Sequence, residues 1–176
     1  MQLRLTNEPS TMAREAADDV ESALRQALAA RGEATAVMAT GISQLGMLEA
    51  LVRAPGFDWS RVALFHLDEY VGLPSSHPAS FRRYLQDRFL AHLPVLPCCI
   101  AIDGDAPDLA GELARLNGLL EGRQVDLCFA GIGENGHLAF NDPLADFDVG
   151  DPYIAVTLDS AAASCLRHPP LQPNPA

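Results

Sequence analysis

At 176 residues, 48% apolar and 20% charged, the chain is long enough to bury a real core and short for two domains. The formal net charge is -11 and all twelve basic residues are arginine. That balance disfavours nucleic acid and anionic membranes as partners, and it requires an anionic small ligand to be held by backbone amides, helix N-termini and a few arginines. No run reaches the roughly 18 apolar residues of a membrane span, and Met1 to Glu8 lacks the apolar centre of a signal peptide, so the expected location is the cytoplasm. Cys98, Cys99, Cys128 and Cys165 show no Cys-x-x-Cys spacing and read as buried or incidental thiols.

In chain order, residues 2 to 6 alternate polar and apolar and suggest an edge strand. From Thr11 to Arg31 the apolar positions Ala13, Ala16, Ala17, Val20, Leu24, Ala27 and Leu28 follow a 3.6-residue period that stops at Gly32, predicting an amphipathic helix. Ala34 to Ala39 predicts a strand that enters Thr40-Gly41-Ile42-Ser43-Gln44, and Leu45 to Val52 resumes helical spacing. Strand, glycine turn and helix together can point free N–H groups at an anion; the bland alternative is a tight turn with Ser43 as a helix cap.

Val62 to Leu67 predicts the next strand, running into Asp68-Glu69-Tyr70-Val71-Gly72. Ser80 then precedes a helical pattern from Phe81 to Leu93, with Arg82, Arg83 and Arg88 on its outer side. Cys98 to Ile102 predicts a short strand, and Asp108 starts a helix ending at Gly122. Asp103, Asp105 and Asp108 lack the fixed glycine and twelfth-position glutamate of a calcium loop and read as a turn and a cap. Val125 to Ala130 is a strand feeding the glycine-rich turn from Gly131 to Asp142, and Tyr153 to Leu158 is a further strand-like run. Residues 161–176 contain four prolines in their last eight positions, which forbids helix, and suggest a disordered tail.

Strands alternating with helices predict a three-layer, Rossmann-like α/β fold over residues 1–160, a mostly parallel sheet with helices on both faces. In such a sheet the loops Thr40–Gln44, Asp68–Gly72 and Gly131–Asp142 share one edge. His137 can exchange a proton near neutral pH, with Asn135 and Asp142 close enough in sequence to orient it, or it is a structural loop histidine. Asp68 is a candidate base for a carbon-bound proton, with Glu69 beside it, or both acids belong to a solvated turn. Gly131, Gly133 and Gly136 either let the backbone wrap a ligand or hold φ above zero. Base plus acid points to aldose–ketose chemistry. A phosphate at Gly41 to Gln44 and an incomplete nucleotide fingerprint make a sugar phosphate the candidate substrate.

Phe65-His66-Leu67-Asp68-Glu69-Tyr70-Val71-Gly72-Leu73, His77-Pro78, and Gly131-Ile132-Gly133-Glu134-Asn135-Gly136-His137-Leu138-Ala139-Phe140-Asn141-Asp142-Pro143 resemble two long motifs of the glucosamine-6-phosphate deaminase and isomerase family. That family lies in the superfamily that includes 6-phosphogluconolactonase. The resemblance implies that Asp68 moves a proton between C2 and C1 of the opened sugar. It implies that His137 assists ring opening, oriented by Asn135 and Asp142, and that Thr40, Gly41, Ile42 and Ser43 cradle the phosphate with Glu69, Gly133 and Gly136 at the substrate. No redox cofactor and no metal are implied. Three departures stand out: Asn135 where many members have aspartate, Ile42-Ser43-Gln44 in place of Gly-Thr-Pro, and a proline-rich end where members continue with further basic residues. The sequence therefore reads as C-terminally truncated, and a silent sugar-phosphate binder and a lactone hydrolase stand as alternatives. An open sheet edge would favour a homo-oligomer.

Overall fold

The computed structural model describes residues 3–133, 136–141 and 145–158. The elements run α1 (Pro9–Arg31), β1 (Ala34–Met38), α2 (Leu45–Arg53), β2 (Val62–His66), α3 (Phe81–Arg88), β3 (Cys98–Ile100), α4 (Leu109–Leu120) and β4 (Leu127–Cys128). All four strands pair in parallel in the order β3-β2-β1-β4. Short 3-10 turns precede α2 and β2 and follow α3.

Strand alternation divides the core. Ala34, Ala36, Met38, Val62 and Leu64 pack on one face with Ala17, Val20 and Leu24 of α1, Leu48 and Leu51 of α2, and Leu85 of α3. Val37 and Phe65 face the other way, against Leu116 of α4 and Tyr153. This is the expected three-layer α/β arrangement. An aromatic group of Phe57, Trp59 and Phe89, with centroids 4.7 and 5.1 Å apart, closes the first layer. Each such side chain contributes about 2 kcal/mol by leaving water. The helix ends follow local chemistry. Pro9 opens α1, Gly32 ends it in the left-handed conformation, and the Asp108 carboxylate caps α4 by accepting from Gly111 N at 3.0 Å.

Several expectations change. Leu3 to Thr6 form no strand, and Leu3 and Leu5 stay exposed because no sheet margin takes them up. The helix foreseen through Leu93 breaks at Phe89, whose φ of -131° leaves the helical region. Regular strand in the fourth sheet segment covers only Leu127 and Cys128, although Asp126 N and Phe129 N donate to Thr35 O and Val37 O, both at 2.9 Å, and prolong the ladder. Tyr153 to Leu158 is not a strand: Tyr153 N donates to Asn117 Oδ1 at 2.7 Å and Asn117 Nδ2 donates to Tyr153 O at 3.1 Å. A side-chain amide thus replaces the partner strand there. The tail at 161–176, Asn135 and Asp142 lie outside the described residues.

Candidate active site

Strand register brings the three polar loops level. Met38 lies opposite His66 and Val37 opposite Cys128, so Thr40, Asp68 and Gly131 follow at corresponding positions past the carboxyl ends of β1, β2 and β4. Parallel pairing places those loops on one edge, where open α/β sheets form ligand crevices.

The Asp68 carboxyl is raised from 3.8 to about 6, chiefly by burial, then by the neighbouring Glu69 charge, while His137 pulls in the opposite direction. The two groups therefore sense each other electrostatically. Behind Asp68 is a cavity of about 400 Å³ with apolar walls including Leu67, Val71, Ile102, Leu113, Phe140 and Tyr153. Neither His137 nor the Thr40–Gln44 loop lines it; the apolar side chains of its walls pack beside Asp68 and contribute to the burial that raises the carboxyl.

His137 sits on a tight turn in which Gly133 N donates to His137 O at 2.9 Å and Ile132 bridges Leu138 in antiparallel fashion. The three glycines there differ in purpose. Gly136 holds a φ of 84°, whereas Gly133 has no positive φ; a Cβ on Gly133 would meet the His137 ring, 2.7 Å from Nδ1 and nearer still to Cε1 and Nε2. A Cβ on Gly131 would meet nothing within 4 Å. Phe140 anchors the turn on the neighbouring loop, with its ring centroid 4.9 Å from that of Tyr70 and 5.7 Å from that of Phe81.

At the end of β1, Thr40 is buried with its Oγ1 unpartnered, as is Gln44 Oε1. Gly41 is extended with φ -87°, and its carbonyl accepts from Tyr84 OH at 3.3 Å. Ile42 and Ser43 lie exposed in the 3-10 turn leading into α2. No side chain caps α2, so Ser43 does not fill the capping role. The hydroxyl remains in the exposed turn beside the amides at the start of α2.

Glu69 does not belong to a solvated turn. Its side chain is fully buried, accepting from Tyr70 N (2.9 Å) and Phe81 N (3.1 Å) on Oε1, and from Ser80 Oγ and Arg82 N (both 2.8 Å) on Oε2. Its carboxylate therefore caps α3, with all four of these bonds made inside the protein. Arg82, expected on the outer side, turns inward. Its guanidinium pairs with Asp103 at 2.5 Å and with Asp105, and donates to Leu73 O at 2.9 Å. Sequence reading missed this role; the acids around Gly104 were the signal that an inward-turned arginine had a destination. Cys98 and Cys128 are exposed at the margins of the sheet, and Cys99 is half-buried. Among the described residues no cluster of three or more histidines, cysteines or acids could hold a metal ion.

Residues 7–140 match the family model described as glucosamine-6-phosphate isomerases/6-phosphogluconolactonase. A glucosamine-6-phosphate deaminase of an Exiguobacterium species is 42% identical over 106 residues, covering 60% of this chain and 41% of that protein. The Rhodococcus jostii glucosamine-6-phosphate deaminase is 37% identical over 148 residues, covering 81% and 55%. A monomeric glucosamine-6-phosphate deaminase of known structure superposes with a TM-score of 0.84 at 27% identity, covering 94% of this chain and 68% of its own. A 6-phosphogluconolactonase from Shewanella baltica shares the fold, with a TM-score of 0.67 at 23% identity, covering 76% and 57%. The chain spans about half the length of the curated relatives it matches. With 134 consecutive residues matched and the parallel sheet in place, the chain belongs to the glucosamine-6-phosphate isomerase/6-phosphogluconolactonase family.

Proposed function

We propose that the chain acts on an amino sugar phosphate, converting glucosamine 6-phosphate and water to fructose 6-phosphate and ammonia. The observation that carries this reading is the Asp68 carboxyl, desolvated until its pKa approaches 6 and electrostatically linked to His137 across the edge. A base with a pKa near 6 is largely ionised at neutral pH yet more basic than a free carboxylate, which suits abstraction of a proton beside an imine or carbonyl.

His137 moves a proton between the C1 hydroxyl and the ring oxygen, opening the sugar. Asp68 removes the C2 proton and returns it to C1, while the C1 carbonyl oxygen gains a proton and the C2 ammonium gives one up, leaving a C1 hydroxymethyl and C2 as an iminium. Water adds at C2 and ammonia departs, giving the ketose. Asn135 and Asp142 orient His137 in this reading. Thr40, Gly41, Ile42 and Ser43 receive the phosphate, with the buried Thr40 hydroxyl and the amides leading into α2 as donors. Gly133 makes room for the imidazole, and Gly136 shapes its turn.

The same reading places the protein in the cytoplasm as a metabolic enzyme within a domain of residues 1–160. The net charge of -11 supports small-molecule rather than nucleic-acid recognition. The outer side of β4 pairs with no further strand among the described residues, which supports self-association along that edge. The test is ammonia release from glucosamine 6-phosphate, expected in the wild type and lost in Asp68→Asn. Saturable binding without product would refute the catalytic reading and favour a silent binder.

A further inference from the structure

We propose that Glu69 and Arg82 are positioning residues for Asp68: the buried Glu69 carboxylate and the neighbouring, mostly buried Arg82 guanidinium fix the loop after β2 to the first turn of α3 and the loop after β3. The inference rests on Asp68 being the base of the proposed reaction. Four donors converge on the Glu69 carboxylate, three of them backbone amides and two of those in the first turn of α3, where a negative charge is most favourable. Arg82 Nε lies 3.6 Å from Glu69 Oε2, and the other guanidinium nitrogens reach Asp103, Asp105 and Leu73 O.

The tie continues through the backbone. Gly72 N donates to Gly104 O at 2.7 Å, and a Cβ on Gly104 would meet Glu69 Cγ at 2.8 Å and Tyr70 O nearer still. Asp103 N donates to Glu112 Oε1 at 2.7 Å, and Arg115 holds Glu112 with two bonds of 2.7 Å, so the loops are anchored on α4 as well. Asp68 is the residue immediately before Glu69. With the Glu69 side chain, the Tyr70 amide and the Gly72 amide all fixed, its peptide is held from the C-terminal side.

Stability alone does not call for this arrangement. Ser80 already accepts from Arg83 N at the start of α3, and burying an ion pair costs desolvation that an apolar pair avoids. What the charged network supplies is one orientation of the loop beside the base.

The experiment uses the full chain with Glu69→Gln, Arg82→Met and Arg82→Lys. It measures circular dichroism, kcat and KM on glucosamine 6-phosphate, and the carbon-13 NMR titration of the Asp68 carboxyl. The expected result is a kcat lowered by about 100-fold in Arg82→Met, partly restored in Arg82→Lys, with KM little changed. In Glu69→Gln the Asp68 midpoint falls below about 6, because a neighbouring negative charge is gone, with His137 still acting on it. Folded variants with wild-type kcat and an unmoved Asp68 midpoint would overturn the proposal. If Glu69→Gln does not fold, the two Arg82 variants decide it by the same kcat against KM split. A wild type inert on glucosamine 6-phosphate, with the Asp68 midpoint moved in Arg82→Met, whose charge does not act directly on Asp68, would refute the proposed reaction and leave the tie supported.

Discussion

Replacing Gly133 by alanine isolates one steric contact under the proposed acid. The added methyl would stand 2.7 Å from His137 Nδ1 and closer to two other ring atoms. Comfortable separations are about 3.5–4.0 Å, so the imidazole, whose nearest atom is closer than Nδ1, must retreat by more than about 1 Å. A misplacement of about 1 Å at a reacting group costs about 100-fold in rate, equivalent to about 2.7 kcal/mol of transition-state stabilisation. The backbone itself accepts alanine, because Gly133 is not among the positive-φ glycines. The loss should therefore fall on kcat for ammonia release while thermal denaturation changes little. Gly131→Ala is the control: its methyl meets no atom within 4 Å and should leave turnover near wild type. Unchanged kcat in Gly133→Ala would refute the idea that this glycine keeps the His137 ring in its working position.

Asp68→Asn should abolish turnover and yet stabilise the fold. The folded-state pKa of about 6 exceeds the ordinary 3.8, so the native state binds the proton more tightly and the ionised carboxylate weakens it as pH rises from about 4 through 6. Above that window the penalty is complete, and its removal is worth about 3 kcal/mol, measurable as a higher urea midpoint at pH 7 but not at pH 3. For the same reason kcat/KM in the wild type should fall as pH drops through about 6, and a flat acid limb would exclude Asp68 as the base. Ile42→Glu puts a negative charge on an exposed position of the loop leading into α2, where a phosphate is expected. It should raise KM at least tenfold at low salt, less at high salt, with unchanged thermal stability.

Periodicity was enough to place the helices at 9–31, 45–53 and 109–120 and the strands at 34–38 and 62–66, because each buries a face whose spacing is written in its own residues. The alternation of strand and helix also carried the layer order and the shared edge of the loops at Thr40, Asp68 and Gly131. Short-range pattern failed where partners are distant. Tyr153 looked like a strand residue, but the amide of Asn117, 36 positions earlier, takes its backbone bonds, and its hydroxyl donates to His66 O at 2.7 Å. The burial of Glu69 and the inward turn of Arg82 were hidden for the same reason. Both are charged residues that usually face water, and only packing of α3 against the loops after β2 and β3 shows that Arg82 lies between the buried Glu69 carboxylate and the exposed Asp103. The motif letters identified Asp68 and His137 as a pair. It was burial among the side chains of the assembled sheet and α4, with the adjacent Glu69 charge, that moved the Asp68 carboxyl into the range of a base.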